Sequence, residues 1–229
     1  MEGRREAPYL PALVVLLSVA LMVFLLLLLP RHIPQAAQIE NGPIENATVV
    51  LYVAGAVLAW VFGKRKIWRK GYTGGAMLLL FALRELDFHT RFTAKSLSQW
   101  DFLISSRAAP SEKVIGLAVY FIVAVLLARL LVDSRLLLNA VRSRRPYAIS
   151  TFSGIFLIPV SKLLDSTAKF LRKKGMEVND DVFLTWQLLE EAFELAIPLL
   201  FLIALLQWRE EAGGDAGGAP PWSWPQDPQ

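Results

Sequence analysis

Long apolar runs separated by short charged ones dominate this chain, and the runs are too long and too uniform to be the buried stripe of a soluble helix. A helix needs about 20 predominantly apolar residues to cross hydrocarbon. Six windows approach that length, at roughly 10–30, 45–63, 72–89, 114–132, 147–165 and 182–208. The pattern predicts an all-α, polytopic transmembrane bundle of about six spans over 10–208, preceded by a short segment, 1–9, and followed by a tail, 209–229. Glycines and prolines without apolar periodicity fill the tail, which is expected to be disordered. The first window follows Arg4 and Arg5 as a signal peptide would. Its apolar run is long, however, and no small-x-small cleavage site follows at Ile33-Pro34-Gln35-Ala36-Ala37, so it reads as an uncleaved anchor.

Composition agrees with a membrane protein: 55% of the 229 residues are apolar and the mean hydropathy is +0.44. The absence of cysteine removes disulfides, thiolate metal sites and cysteine nucleophiles. A formal charge of +4 does not point to nucleic acid, because the basic residues sit beside apolar runs, where they set membrane orientation. Arg4 and Arg5, then Lys64, Arg65, Lys66, Arg69 and Lys70, then Arg135, Arg142, Arg144 and Arg145 alternate so as to share one side. Both termini are therefore expected in the cytoplasm. Lys169, Arg172, Lys173 and Lys174 run against that assignment, but the 64–70 cluster is denser and more tightly flanked by spans. The loop from Arg91 to Lys113, with Trp100, Phe102, Leu103 and Ile104, suits an interfacial segment or a solvated loop equally. Asn46-Ala47-Thr48 matches a glycosylation acceptor but adjoins the second window and carries little weight.

Within the spans, Gly55, Ala59 and Gly63 form a smooth four-residue stripe suited to close helix approach. Pro159 and Pro198 fall inside the fifth and sixth windows, and the carbonyl that Pro198 leaves without its usual donor belongs to Glu194.

The candidate chemistry lies in the ionisable residues of these windows. Insertion of a carboxylate into hydrocarbon costs on the order of 3 kcal/mol. With both termini inside, Glu45 opens the second window at the outer face, and Arg84, Glu85, Asp87 and His89 end the third there. Lys162 and Asp165 end the fifth, and Glu190, Glu191 and Glu194 lie about 12 to 18 Å below the start of the sixth at 1.5 Å per residue. Separate segments thus bring their ionisable groups to one leaflet. Gln187, Glu190, Glu191 and Glu194 share a helical stripe, and Glu85 and His89 are i, i+4 neighbours. Glu85, Asp87, Glu190, Glu191 and Glu194 outnumber the counter-charges Arg84 and Lys162. Some of these acids must then be protonated, hydrated or cation-bound, and they titrate as a coupled set.

Four readings follow. One is an outward-facing carboxylate and histidine pocket that binds or senses a proton, a small cation or a polar headgroup. Metal candidates in it are Glu85, His89, Glu190 and Glu194, and a divalent metal is the candidate cofactor. Another is an ion-pair network in which Arg84 and Lys162 hold the helices in register. A metal-dependent enzyme acting on lipid headgroups, with a glutamate as general base, is a third alternative, and a structural or assembly protein a fourth. Polar residues matching these acids are not evident in the inner half of the spans, which disfavours transport.

His32 and His89 are the only histidines, so three-histidine zinc within one chain is excluded. Paired Glu-x-x-His ligands for a di-iron centre are absent, as are HExxH, GxSxG, phosphate-loop and dinucleotide patterns. The segments Glu40-Asn41-Gly42-Pro43-Ile44-Glu45, Leu83-Arg84-Glu85-Leu86-Asp87-Phe88-His89 and Glu190-Glu191-Ala192-Phe193-Glu194-Leu195 resemble those of a group of uncharacterised bacterial inner-membrane proteins, over about 38–206. That resemblance implies a bacterial inner-membrane, multi-pass location and supplies no activity.

Overall fold

A computed structural model describes residues 9–28, 42–65, 70–86, 109–132, 134–173 and 180–214. Seven helices account for nearly all of them: α1 (Leu10–Leu28), α2 (Pro43–Lys64), α3 (Gly71–Glu85), α4 (Pro110–Val132), α5 (Ser134–Arg142), α6 (Pro146–Lys173) and α7 (Asp180–Gly214). A helix occupies nearly all the described residues of each window expected to cross the membrane. Three helical stretches, Leu10–Leu28, Pro43–Lys64 and Pro146–Leu164, are long and apolar enough to cross a membrane. A fourth span results if Lys113–Arg129 and Ser134–Arg142, bent by 44°, are counted together. α3 falls short because its 15 residues rise only about 22 Å against a hydrocarbon core of about 30 Å. α7 is long, but its N-terminal half carries the three glutamates.

The outer surface supports the membrane assignment. Leu17, Phe24, Phe121, Val114, Phe156 and Leu163 are all more than half exposed on α1, α4 and α6. In water such a surface would drive aggregation, whereas in lipid it matches the solvent.

α7 is the axis of the bundle and packs on α6, α2 and α1, while α3 packs on α2 and α4 stands at the edge. Leu188, Ala192, Ala196, Leu200 and Ala204 recur every four residues as the buried stripe of α7. α6 answers with Ser150, Gly154, Leu157 and Ser161. These two helices run antiparallel in a constant register. Ser150 meets Gln207, Gly154 meets Phe201, and Ser161 meets Glu194. Pro159 and Pro198 are both accommodated within continuous helix, and the Pro198 side chain is fully buried.

The start of α2 follows from its sequence: Gly42 is the N-cap, Pro43 needs no amide partner in the first turn, and Glu45 and Lys64 complement the helix dipole at opposite ends. Asn46 Nδ2 donates to the Gly42 carbonyl at 2.9 Å, and Thr48 is 1% exposed with its hydroxyl donating to the Ile44 carbonyl at 3.0 Å. The glycosylation pattern therefore lies inside a helix, with its threonine buried.

Gly55, Ala59 and Gly63 do face a neighbouring helix, with Leu78 and Tyr72 of α3 against the two glycines. The complementary glycines, Gly71 and Gly75, come from α3. A Cβ on Gly71 would collide with the Ala59 carbonyl and the Gly63 backbone, and one on Gly75 would meet the Trp60 ring and the Ala56 carbonyl. Gly71, Gly75, Leu78, Ala82 and Glu85 form the buried stripe of α3. Glu85 is thereby drawn into the bundle by the same register that seats the glycines.

α7 continues beyond Arg209 to Gly214, into the segment expected to be disordered. Its end is tied to α6, since Tyr147 packs edge-on to Trp208 at 4.7 Å between centroids and Arg145 Nη1 lies 3.4 Å from Glu211 Oε2.

Candidate functional site: a carboxylate cluster across four helices

Glu194 is the meeting point. Its Oε1 accepts from Arg84 Nη2 at 3.1 Å and from Ser161 Oγ at 3.3 Å, and lies 3.4 Å from Lys162 Nζ. One carboxylate oxygen therefore joins α3, α6 and α7. The Glu194 side chain is only 15% exposed, whereas Arg84 and Lys162 are 42% and 45% exposed, as long side chains that reach inward from the bundle surface. Arg84 is shared, because its Nη1 lies 3.5 Å from Glu85 Oε1. Among the described acids Glu85 is the most enclosed, with a side chain 7% exposed.

The remaining acids gather around this core. Glu85 is within electrostatic reach of Glu194, Lys162 and Glu45, and Glu191 is within reach of Glu194, Glu190, Glu45 and Glu85. Glu45, Glu190 and Glu191 are half-buried. The structure thus brings together Glu45, Arg84, Glu85, Lys162, Glu191 and Glu194 from α2, α3, α6 and α7, with Glu190 next to Glu191 on α7. Asp87 and His89 lie outside the described residues. Among the described residues no group of three His, Cys, Asp or Glu is placed to hold a metal ion.

Two further residues belong to the cluster and were not singled out from the sequence. Tyr52, 2% exposed, packs its ring 5.6 Å from Phe81 and is within electrostatic reach of Glu85, Arg84 and Glu194. Its signal was the spacing Glu45, Thr48, Tyr52, a polar stripe at i, i+3 and i+7 on α2. Ser161 is the other. It immediately precedes Lys162, and no pattern within α6 alone distinguishes its hydroxyl from that of any other span serine.

A second polar cluster, at the opposite end of the α6–α7 pair, was also missed. Ser150 is 0% exposed and its Oγ donates to Gln207 Oε1 at 2.9 Å, near the Arg145–Glu211 pair. The end of the α6–α7 pair away from the carboxylates is therefore not devoid of polar side chains. Between the two clusters the interface is apolar, with Phe201 seated on Gly154 and Leu157 buried beside it. Ser150→Ala should cost about 1 kcal/mol by removing the donor to the half-buried Gln207 amide oxygen. Unfolding of detergent-solubilised protein measures this, and an unchanged midpoint would show that the bond contributes nothing.

No family model, curated protein or solved structure matches this chain.

Proposed function

We propose that this is a multi-pass membrane protein, with six spans and both termini cytoplasmic, whose outer-leaflet carboxylates bind or sense a proton. The observation that carries the reading is the distribution of positive charge. Both Arg84 and Lys162 converge on Glu194, and Glu85 receives only a share of Arg84 while lying almost fully enclosed. Glu45, Glu190 and Glu191 add further carboxyl groups within reach of the same centre. So many ionised carboxylates beside two bases, in a low-dielectric setting, are far costlier than the same set holding a proton. The lysine and arginine pattern supports the orientation, and the sequence resemblance supports a bacterial inner-membrane location.

Infrared difference spectroscopy of the protein in lipid nanodiscs tests the reading directly. Acidification should raise a protonated-carboxyl C=O band in the wild type, and Glu85→Gln and Glu191→Gln should each remove a component of it. No band, or one indifferent to both substitutions, would sink the proposal.

A second reading has its own support. The three donors on Glu194 are the arrangement expected of a network that fixes helix register, and a purely structural protein would need nothing more. That reading expects Glu191→Gln to leave the infrared titration untouched.

A further inference from the structure

We propose that α5 lies at the membrane surface and binds the phosphodiester headgroup of an anionic phospholipid through Arg135, Arg142 and Arg144. α4 is 23 residues long and at about 1.5 Å per residue already exceeds the hydrocarbon core. With α4 alone crossing the bilayer, the 44° bend into α5 starts this helix at the lipid headgroups. α5 is sharply two-sided. Arg135, Asn139 and Arg142 stand on one face at i, i+4 and i+7, while Leu136, Leu137, Leu138, Ala140 and Val141 fill the rest of its circumference. Leu136 and Leu138, at the two margins of this apolar arc, are nearly half exposed and available to acyl chains, while Leu137, Ala140 and Val141 between them are half-buried. A short helix with a basic face flanked by exposed leucines has the composition of an interfacial element.

The turn after α5 supplies the second observation. Arg144 N–H donates to the Val141 carbonyl at 2.9 Å and Arg145 N–H to the Ala140 carbonyl at 3.0 Å, a Schellman-type C-cap. The residue at its left-handed position is Arg144, with φ of 54°, where glycine is strongly preferred. An arginine kept in a conformation that favours glycine points to a use for its side chain. That side chain is exposed, as are those of Arg135 and Arg142, and Arg145 alone among these turns back to an internal partner, Glu211. Three exposed guanidinium groups, one at the start of α5 and two at its closing turn, complement a phosphodiester, for which arginine offers paired donors.

Native mass spectrometry of the full-length protein from mixed micelles of phosphatidylglycerol and phosphatidylcholine is the test. The wild type should retain phosphatidylglycerol preferentially, and Arg135→Gln and Arg142→Gln should each lower that preference about fivefold. Arg144→Gly should lower it similarly while the melting temperature in phosphatidylcholine alone holds or rises, so its loss of lipid cannot come from misfolding. Equal retention of both lipids by the wild type, or an unchanged preference in the variants, overturns the proposal. So does displacement of the lipid by soluble glycerol phosphate, or a lower melting temperature for Arg144→Gly, which would assign the arginine to the turn itself.

Discussion

Glu194→Gln should destabilise the bundle by about 3 kcal/mol, because it removes the one charge that Arg84 and Lys162 share while leaving both cations in place. The amide preserves the shape of the side chain and an acceptor for Ser161, so packing changes little. Arg84 retains Glu85 at 3.5 Å, and Lys162 loses the carboxylate 3.4 Å from its ammonium. Both cations are more than 40% exposed and can tilt toward the headgroups, which places the loss at the low end of what breaking a buried pair costs. Lys162→Met in the Glu194→Gln background should recover part of the loss, with a coupling energy of at least about 1 kcal/mol. Reversible unfolding in mixed micelles measures all four corners of this cycle. Additive effects, or a Glu194→Gln variant as stable as the wild type, would mean that the shared carboxylate does not hold α3 and α6 to α7. The same cycle separates roles within the cluster, since Glu194 carries the helix ties whereas Glu85 and Glu191 carry the expected proton signal.

The fold class was legible because hydrocarbon imposes a length and composition on each span that no local competition disguises. Leu10–Leu28 and Pro43–Lys64 coincide closely with the apolar windows read from the sequence. The cost of charge in lipid likewise singled out Arg84, Glu85, Lys162 and Glu194 before any contact was known, and these four are joined in space. Residues whose importance depends on a partner helix were not legible. Gly71 and Gly75 read as ordinary loop-to-span glycines until α2 is laid against them. Ser150 and Gln207 look like isolated polar residues until antiparallel register brings them within 2.9 Å. α5 is hidden for another reason: its nine residues are shorter than the roughly 20-residue window that marks a span, and arginines beside apolar runs equally mark orientation.

The contact between α2 and α3 is where a single methyl group should do the most harm. Gly71→Ala places its Cβ against the Ala59 carbonyl and the Gly63 amide and Cα, atoms of a helix backbone that cannot rotate away. The helices must separate, and in lipid the close van der Waals approach that holds them has no hydrophobic effect behind it to compensate. The expected cost is about 2–3 kcal/mol, at the upper end of what overpacking one methyl usually produces. Gly55→Ala is the control. Its nearest neighbour is the end of the Leu78 side chain at 3.1 Å, which can yield, so the change should be within about 0.5 kcal/mol of neutral. Gly63→Ala should fall between them, because it meets the Tyr72 ring and backbone nitrogen at 3.2 Å. The damage should also travel along α3. Gly71 and Glu85 lie on one buried stripe, so a helix lifted at its first residue carries Arg84 away from Glu194 at its last turn. Glu194→Gln should therefore cost less in the Gly71→Ala background than in the wild type. Equal costs in the two backgrounds would show that the glycine contact and the ion-pair centre are independent, and that α3 is held in place by something other than its seat on α2.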